Sequence, residues 1–185
     1  MKLVVGLGNP GRRYENTRHN VGYAVLAELG RRFGAGAPRA RFHGELLEAN
    51  FDGVRALLLS PTTYMNRSGL SVQAASAFYK IPEDDILVIC DDLNLPLARV
   101  RIRRGGSSGG QKGLEDIIRR LGTDQFPRLR VGIGVPPEPW DAVDYVLARI
   151  PQEEREPMGQ AVQDAADAVV VWAHQGIEVC MNRYN

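Results

Sequence analysis

One histidine, two asparagines and an acidic pair stand in this chain where side chains can do chemistry. His19 lies in the run Thr17-Arg-His-Asn20, between a glycine-rich turn and a helical period. A loop histidine held by regular elements on both sides is placed to take up and return protons. Asp91-Asp92 follow the apolar run Ile86–Cys90, at the carboxyl end of what reads as a central strand. Ligands of open α/β sheets gather at such ends. A carboxylate there can fix the tautomer of an imidazole and raise its basicity. The same two residues also suit a plain turn into Asn94-Leu-Pro96. Asn9 and Asn66 each follow an expected strand end, and their neutral amides suit a peptide backbone, with Tyr64 and Met65 as an apolar wall. Asn66 equally fits a turn or a helix cap. The other histidines read as structural. His43 heads a strand at the surface, and His174 lies near a helix end, where a cation complements the dipole.

Two glycine-rich segments invite other chemistries. Gly6, Gly8 and Gly11 spell G-x-G-x-x-G after an apolar run, the spacing of a dinucleotide-binding turn. Pro10 removes an amide that a phosphate would use, and no helical period begins before Val21. Glu28 falls inside that helix instead of ending a second strand, which counts against an oxidoreductase. The glycines are better read as a tight turn that presents Asn9. Gly105–Gly110 contains G-x-S-x-G centred on Ser107 or Ser108, but a nucleophile elbow needs a buried apolar strand before it. Here the preceding strand, Arg99-Val-Arg-Ile-Arg103, alternates charged and apolar residues, as an edge strand would. The glycine tract reads instead as a flexible gate whose amides and neighbouring arginines approach phosphates.

The elements that must position these residues follow from periodicity. Strand signals come at 2–8, 43–51, 54–59, 86–91, 99–104 and 128–135, and helical periods at 20–33, 68–79, 111–121 and through much of 152–183. Asp52-Gly53 marks a hairpin turn, and Pro136-Pro-Glu-Pro139 a short rigid connection. This interleaving predicts one α/β domain over residues 1–185, with a twisted, mixed but largely parallel sheet flanked by helices on both faces. With 185 residues, 44% of them hydrophobic, the chain can bury one core. No run reaches membrane-spanning length and no signal-peptide pattern appears. Cys90 and Cys180 have no metal-ligand spacing and are expected reduced and buried. The expectation is a cytoplasmic monomer with no obligate protein partner. Net charge is +1, yet residues 99–130 hold nine basic residues against three acids, and residues 138–167 eight acids against two basic residues. Such a basic lobe can orient a polyanion.

Together and in order, several pieces resemble the bacterial-type peptidyl-tRNA hydrolases over nearly the whole chain. They are Val4-Val-Gly-Leu-Gly-Asn-Pro-Gly11, Tyr14, Thr17–Asn20, Pro61-Thr-Thr-Tyr-Met-Asn66 with Ser68-Gly69, Asp91-Asp92-Leu93, Leu95-Pro96, Gly105–Gly113 and Arg128–Gly134. The resemblance implies a metal-free, cofactor-free esterase that cuts a peptide from the terminal adenosine of tRNA. It implies that His19 is the general base and Asp91 its orienting acid. Asn9 and Asn66 would hold the peptidyl group, Asn9 also assisting at the oxyanion, while Tyr14, Tyr64 and Met65 line the cleft. Arg103 and Arg130, with Arg101 beside them, match positions that clamp the tRNA 5′-phosphate. One departure stands out: Gln111-Lys112 replaces the family's usual His-Asn. Lys112 is expected to take over a substrate or phosphate contact. The alternative is a non-catalytic RNA-binding relative of the same fold.

Overall fold

The computed structural model describes residues 1–185. Its strands are β1 (Lys2–Gly6), β2 (Gly34–Arg41), β3 (Gly44–Phe51), β4 (Val54–Pro61), β5 (Ile86–Asp92), β6 (Val100–Arg103) and β7 (Arg128–Gly132). They form one sheet in the order β2-β3-β4-β1-β5-β7-β6. β4, β1, β5 and β7 run parallel, while β2 and β3 join antiparallel on one side and β6 on the other. The run Ile86–Cys90 is buried throughout, as a strand covered on both faces must be.

Helices cover both faces. α1 (Val21–Phe33) and α5 (Gln152–Tyr184) pack Val25, Leu29, Val169 and Trp172 onto Val4, Ile89 and Leu129. α2 (Ser68–Tyr79) and α3 (Lys112–Leu121) pack Val72, Ala75, Leu114 and Ile117 onto Leu3, Val5 and Val88. α4 (Ala142–Leu147) stands beyond the carboxyl ends of the strands. No helix is long and apolar enough to cross a membrane.

Gly6 of the opening turn and Gly22 of α1 act through close packing. A Cβ on Gly6 would lie 2.3 Å from the Gly22 carbonyl oxygen, and one on Gly22 would lie 2.4 Å from the Leu7 nitrogen and 2.7 Å from the Ile89 oxygen. Neither backbone nor carbonyl can move away cheaply, so both positions require glycine. Their absence of side chains lets α1 lie backbone-to-backbone against β1 and β5. That contact brings the residues just before α1 to the end of β5, where Asp91 sits.

Three elements were not expected from periodicity. β2 reads Gly-Ala-Gly-Ala-Pro-Arg-Ala-Arg and is exposed along its whole length. It carries neither apolar alternation nor β-branched residues, and only its ladder with β3 makes it a strand. The six-residue α4 lies behind the proline-rich connection. α5 breaks at Gly176, whose φ of 84° and ψ of 173° are not helical. Beyond the break, the Asn185 side chain accepts from the Ile102 N–H and donates to the Ile102 carbonyl, each at 2.8 Å. It thereby occupies the outer side of β6.

Candidate active site

His19 lies in the one-turn 3₁₀ helix Arg18–Asn20 that leads into α1. Its neighbour Arg18 holds this turn in place. The buried Arg18 guanidinium donates to the Tyr145 carbonyl and to Glu154, each at 3.2 Å, and lies 4.0 Å from the Tyr145 ring centroid. The Arg18 N–H donates to the Ala148 carbonyl, and the Ile150 N–H to that of Asn16. The backbone leading into His19 is thus fastened to the end of α4 and to the segment before α5.

The imidazole meets Asp91 at the end of β5, with Nδ1 2.8 Å from Oδ2. Asp91 is only 4% exposed. A buried carboxylate requires a donor, so Nδ1 carries a proton, and in the neutral ring Nε2 is the free lone pair. Gln111 serves the other carboxylate oxygen, donating from Nε2 to Asp91 Oδ1 at 3.1 Å.

Asn9 is fixed at both its backbone and its side chain. Its N–H donates to Asn20 Oδ1 at 2.8 Å, and its carbonyl accepts from Asn20 Nδ2 at 2.9 Å. Its own Oδ1 accepts the Met65 N–H at 2.7 Å. Only an oxygen can face that N–H, so Nδ2 remains as the donor available to the cleft. The Asn9 bond also holds the segment before α2. There Tyr64 adopts φ 62° and ψ 157°, a region other residues leave to glycine at a cost of roughly 1–3 kcal/mol. Its exposed ring stacks edge-on with Tyr14, centroids 6.3 Å apart, at the mouth of the cleft. Asn66 follows, exposed, in the 3₁₀ turn Met65–Arg67.

These groups line an open cleft of about 570 Å³ together with Arg130, Lys112 and the apolar face of α4, which supplies Ala142, Val143, Val146 and Leu147. All the expected cleft residues meet there: Asn9, Tyr14, His19, Tyr64, Met65, Asn66, Asp91 and Lys112. Cys90 also borders it, but burial and then the neighbouring Asp91 charge push its thiol far above the usual range. It is a protonated, poor nucleophile there. Asp92 is 3.5 Å from Arg130. No group of three or more His, Cys, Asp or Glu side chains converges as metal ligands would.

The basic lobe is smaller than composition suggests. Lys112 pairs with Glu115 at 3.2 Å, Arg119 and Arg120 with Asp116, and Arg104 with Glu178. Arg128 is fully buried; its guanidinium donates to the carbonyls of Gly106, Ser107, Asp124 and Phe126. That anchoring makes the glycine tract a held loop at its first half, with carbonyls turned to the arginines. Arg101 and Arg103 stand exposed on the edge strand β6, outside the cleft. Register sets Arg101 opposite Arg130 and Arg103 opposite Arg128. Like charges directly opposite across a ladder destabilise it unless an anion intervenes.

Two residues carry site geometry that their sequence positions did not reveal. Asn20 was visible only as the helix mouth, and Gln111 only as a departure from a pattern. Their partners lie 11 and 20 positions away, beyond any local period. His43 is exposed in the β2–β3 turn, as expected. His174 does not cap its helix: Nε2 sits 2.7 Å from the Phe51 carbonyl at the β3–β4 hairpin.

The comparisons with known proteins agree over the whole chain. A family model described as peptidyl-tRNA hydrolase matches residues 3–185. A peptidyl-tRNA hydrolase of Rhodopirellula baltica is 53% identical over 185 residues, covering 100% of this chain and 97% of the relative. One from Chloroflexus aurantiacus is 48% identical, covering 100% and 99%. The crystal structure of the Acinetobacter baumannii peptidyl-tRNA hydrolase superposes with a TM-score of 0.93 at 36% identity, covering 100% of this chain and 94% of that one.

Proposed function

The chain belongs to the peptidyl-tRNA hydrolase family, and on that premise we propose that it cleaves the ester joining a peptide, or an N-blocked amino acid, to the 3′-terminal adenosine of tRNA. The observation that carries the mechanism is the Nδ1–Asp91 bond, which in the neutral ring makes Nε2 the basic nitrogen, in a cleft that Asn9 also lines. Nε2 takes a proton from water as the water oxygen attacks the ester carbonyl. Negative charge gathers on the former carbonyl oxygen, where Asn9 Nδ2 donates. Collapse expels the ribose oxygen, which takes the proton back from His19, and the peptide leaves as a carboxylic acid that loses its proton to solvent. Asp91 holds the tautomer before attack and stabilises the imidazolium after it. Asn66, Tyr14, Tyr64 and Met65, with the apolar face of α4, hold the peptide.

Arg101, Arg103 and Arg130 receive the tRNA phosphates, and an acceptor stem read through its backbone needs charge more than base contacts. Arg101 faces Arg130 across β6 and β7, and a bound phosphate would relieve that like-charge pair, whereas Arg128 is buried and already held by loop carbonyls. Lys112 has an ion pair with Glu115 that a phosphate at the cleft can displace, since an exposed pair is worth little. The test is release of an N-blocked aminoacyl group from tRNA. His19→Ala is expected to lower kcat by about 10²–10⁴-fold with tRNA binding unchanged. Binding without release by the native protein would favour a non-catalytic RNA-binding role.

A further inference from the structure

Gln111 is held at both ends of its amide. Oε1 accepts the Leu114 N–H at 2.8 Å, capping α3, and Nε2 donates to Asp91 Oδ1 at 3.1 Å. Because one end meets a donor and the other an acceptor, the amide has one orientation. Nε2 also lies 3.2 Å from Met65 Sδ, and the Met65 N–H is bound by Asn9. The Gln111 N–H donates to the Ser108 carbonyl of the glycine loop at 3.1 Å. A Cβ on Gly113 would sit 2.7 Å from Met65 Sδ and 3.0 Å from Gln111 Oε1, so the packing leaves Gln111 little freedom.

We propose that Gln111 is a positioning residue for the hydrolysis: it holds Asp91 so that Oδ2 alone serves His19, and it links that orientation to the glycine loop. The proposal rests on His19 acting as the base. An amide N–H on Oδ1 draws charge from a buried carboxylate. Without it, Asp91 holds the imidazolium more strongly and turns more freely, so Nε2 stays protonated to higher pH. The other charged or titratable groups around the pair are Cys90 and Asp92 on β5, Arg130 on β7, Lys112 on α3, Arg18 beside His19, and the phenols of Tyr14 and Tyr64 at the cleft mouth. Arg130 is occupied by Asp92, Lys112 by Glu115 and Arg18 by Glu154. α4 brings only apolar side chains to the cleft.

Capping and positioning are separable by substitution. Gln111→Ser keeps a capping oxygen for α3 but is too short to reach Asp91; Gln111→Met keeps length and loses both bonds. The acid limb of kcat/KM against pH, kcat and KM apart, and the pH at which the His19 ring titrates by NMR are measured for both and for the native protein. Positioning requires that both variants move the limb and the NMR midpoint upward. It also requires kcat to fall roughly tenfold with KM little changed. A Gln111→Ser protein with native limb, midpoint and kcat overturns the proposal and leaves Gln111 a cap alone, whether or not Gln111→Met folds. If the native protein releases no aminoacyl group, the functional reading fails, whereas the NMR midpoints still decide the Gln111–Asp91 contact.

Discussion

At the carboxyl ends of β1 and β5 the polar groups interlock, whereas along β6 the guanidinium groups of Arg101 and Arg103 stand in solvent. His19, Asp91, Gln111, Met65, Asn9 and Asn20 form a chain of bonds in which each member fixes the next. The two requirements differ physically. Proton transfer and oxyanion binding reward groups preset within tenths of an ångström, because reorganisation during the reaction raises the barrier. Phosphate attraction acts over several ångströms and tolerates side chains that search for their partner. The rigid end therefore sets rate, and the exposed edge sets affinity.

The largest effect is expected at the rigid end. Asp91→Asn keeps the shape but presents an amide to Nδ1 and favours the wrong tautomer, lowering kcat by about 10³-fold or more with little change in tRNA binding. Single-turnover release at saturating enzyme measures it. A loss confined to KM would erase the contrast between the two regions. Next comes Asn20→Ala, which leaves the Asn9 N–H and carbonyl without partners. Stability should fall by about 2–4 kcal/mol in denaturant unfolding, and kcat should fall well beyond the fraction unfolded, because Asn9 Nδ2 loses its aim. Normal turnover in the folded fraction would show that the asparagine pair serves stability alone. The smallest change in rate belongs to the edge. Arg101→Ala with Arg103→Ala should raise KM about tenfold at moderate salt and leave kcat intact. The slope of log KM against log salt should fall by about two. A salt slope that does not change would remove β6 from the tRNA footprint.

Much of this architecture was legible because burial writes itself locally. Ile86–Cys90, buried on both sides, and the Asp52-Gly53 hairpin announce themselves, and His19 and Asp91 each sit where an element begins or ends. β2 left no signal because an exposed edge strand needs no apolar face. The break at Gly176 hides within a helical period that continues beyond it. Gln111 showed only as a departure from a pattern, since a sequence displays a residue's type and not the two partners that fix it. Arg128 was counted with the surface charge, yet it is fully buried among loop carbonyls, and charge totals carry no information about burial. The Asn9–Asn20 exchange is a contact between two loops, which only the approach of α1, permitted by Gly6 and Gly22, brings about.

The amide of Asn185 on Ile102 has a meaning for how this molecule behaves among its own copies. An outermost strand normally offers a row of unpaired N–H and carbonyl groups, a template on which another chain can add a strand and begin to aggregate. Here the outward donor and acceptor of Ile102, in the middle of a four-residue strand, are already matched by one side chain that mimics a neighbouring backbone. Arg101 and Arg103 flank that blocked position and add charge repulsion against a second copy. β6 can thus remain a short, open margin that displays its side chains to a soluble polyanion while refusing strand-to-strand growth.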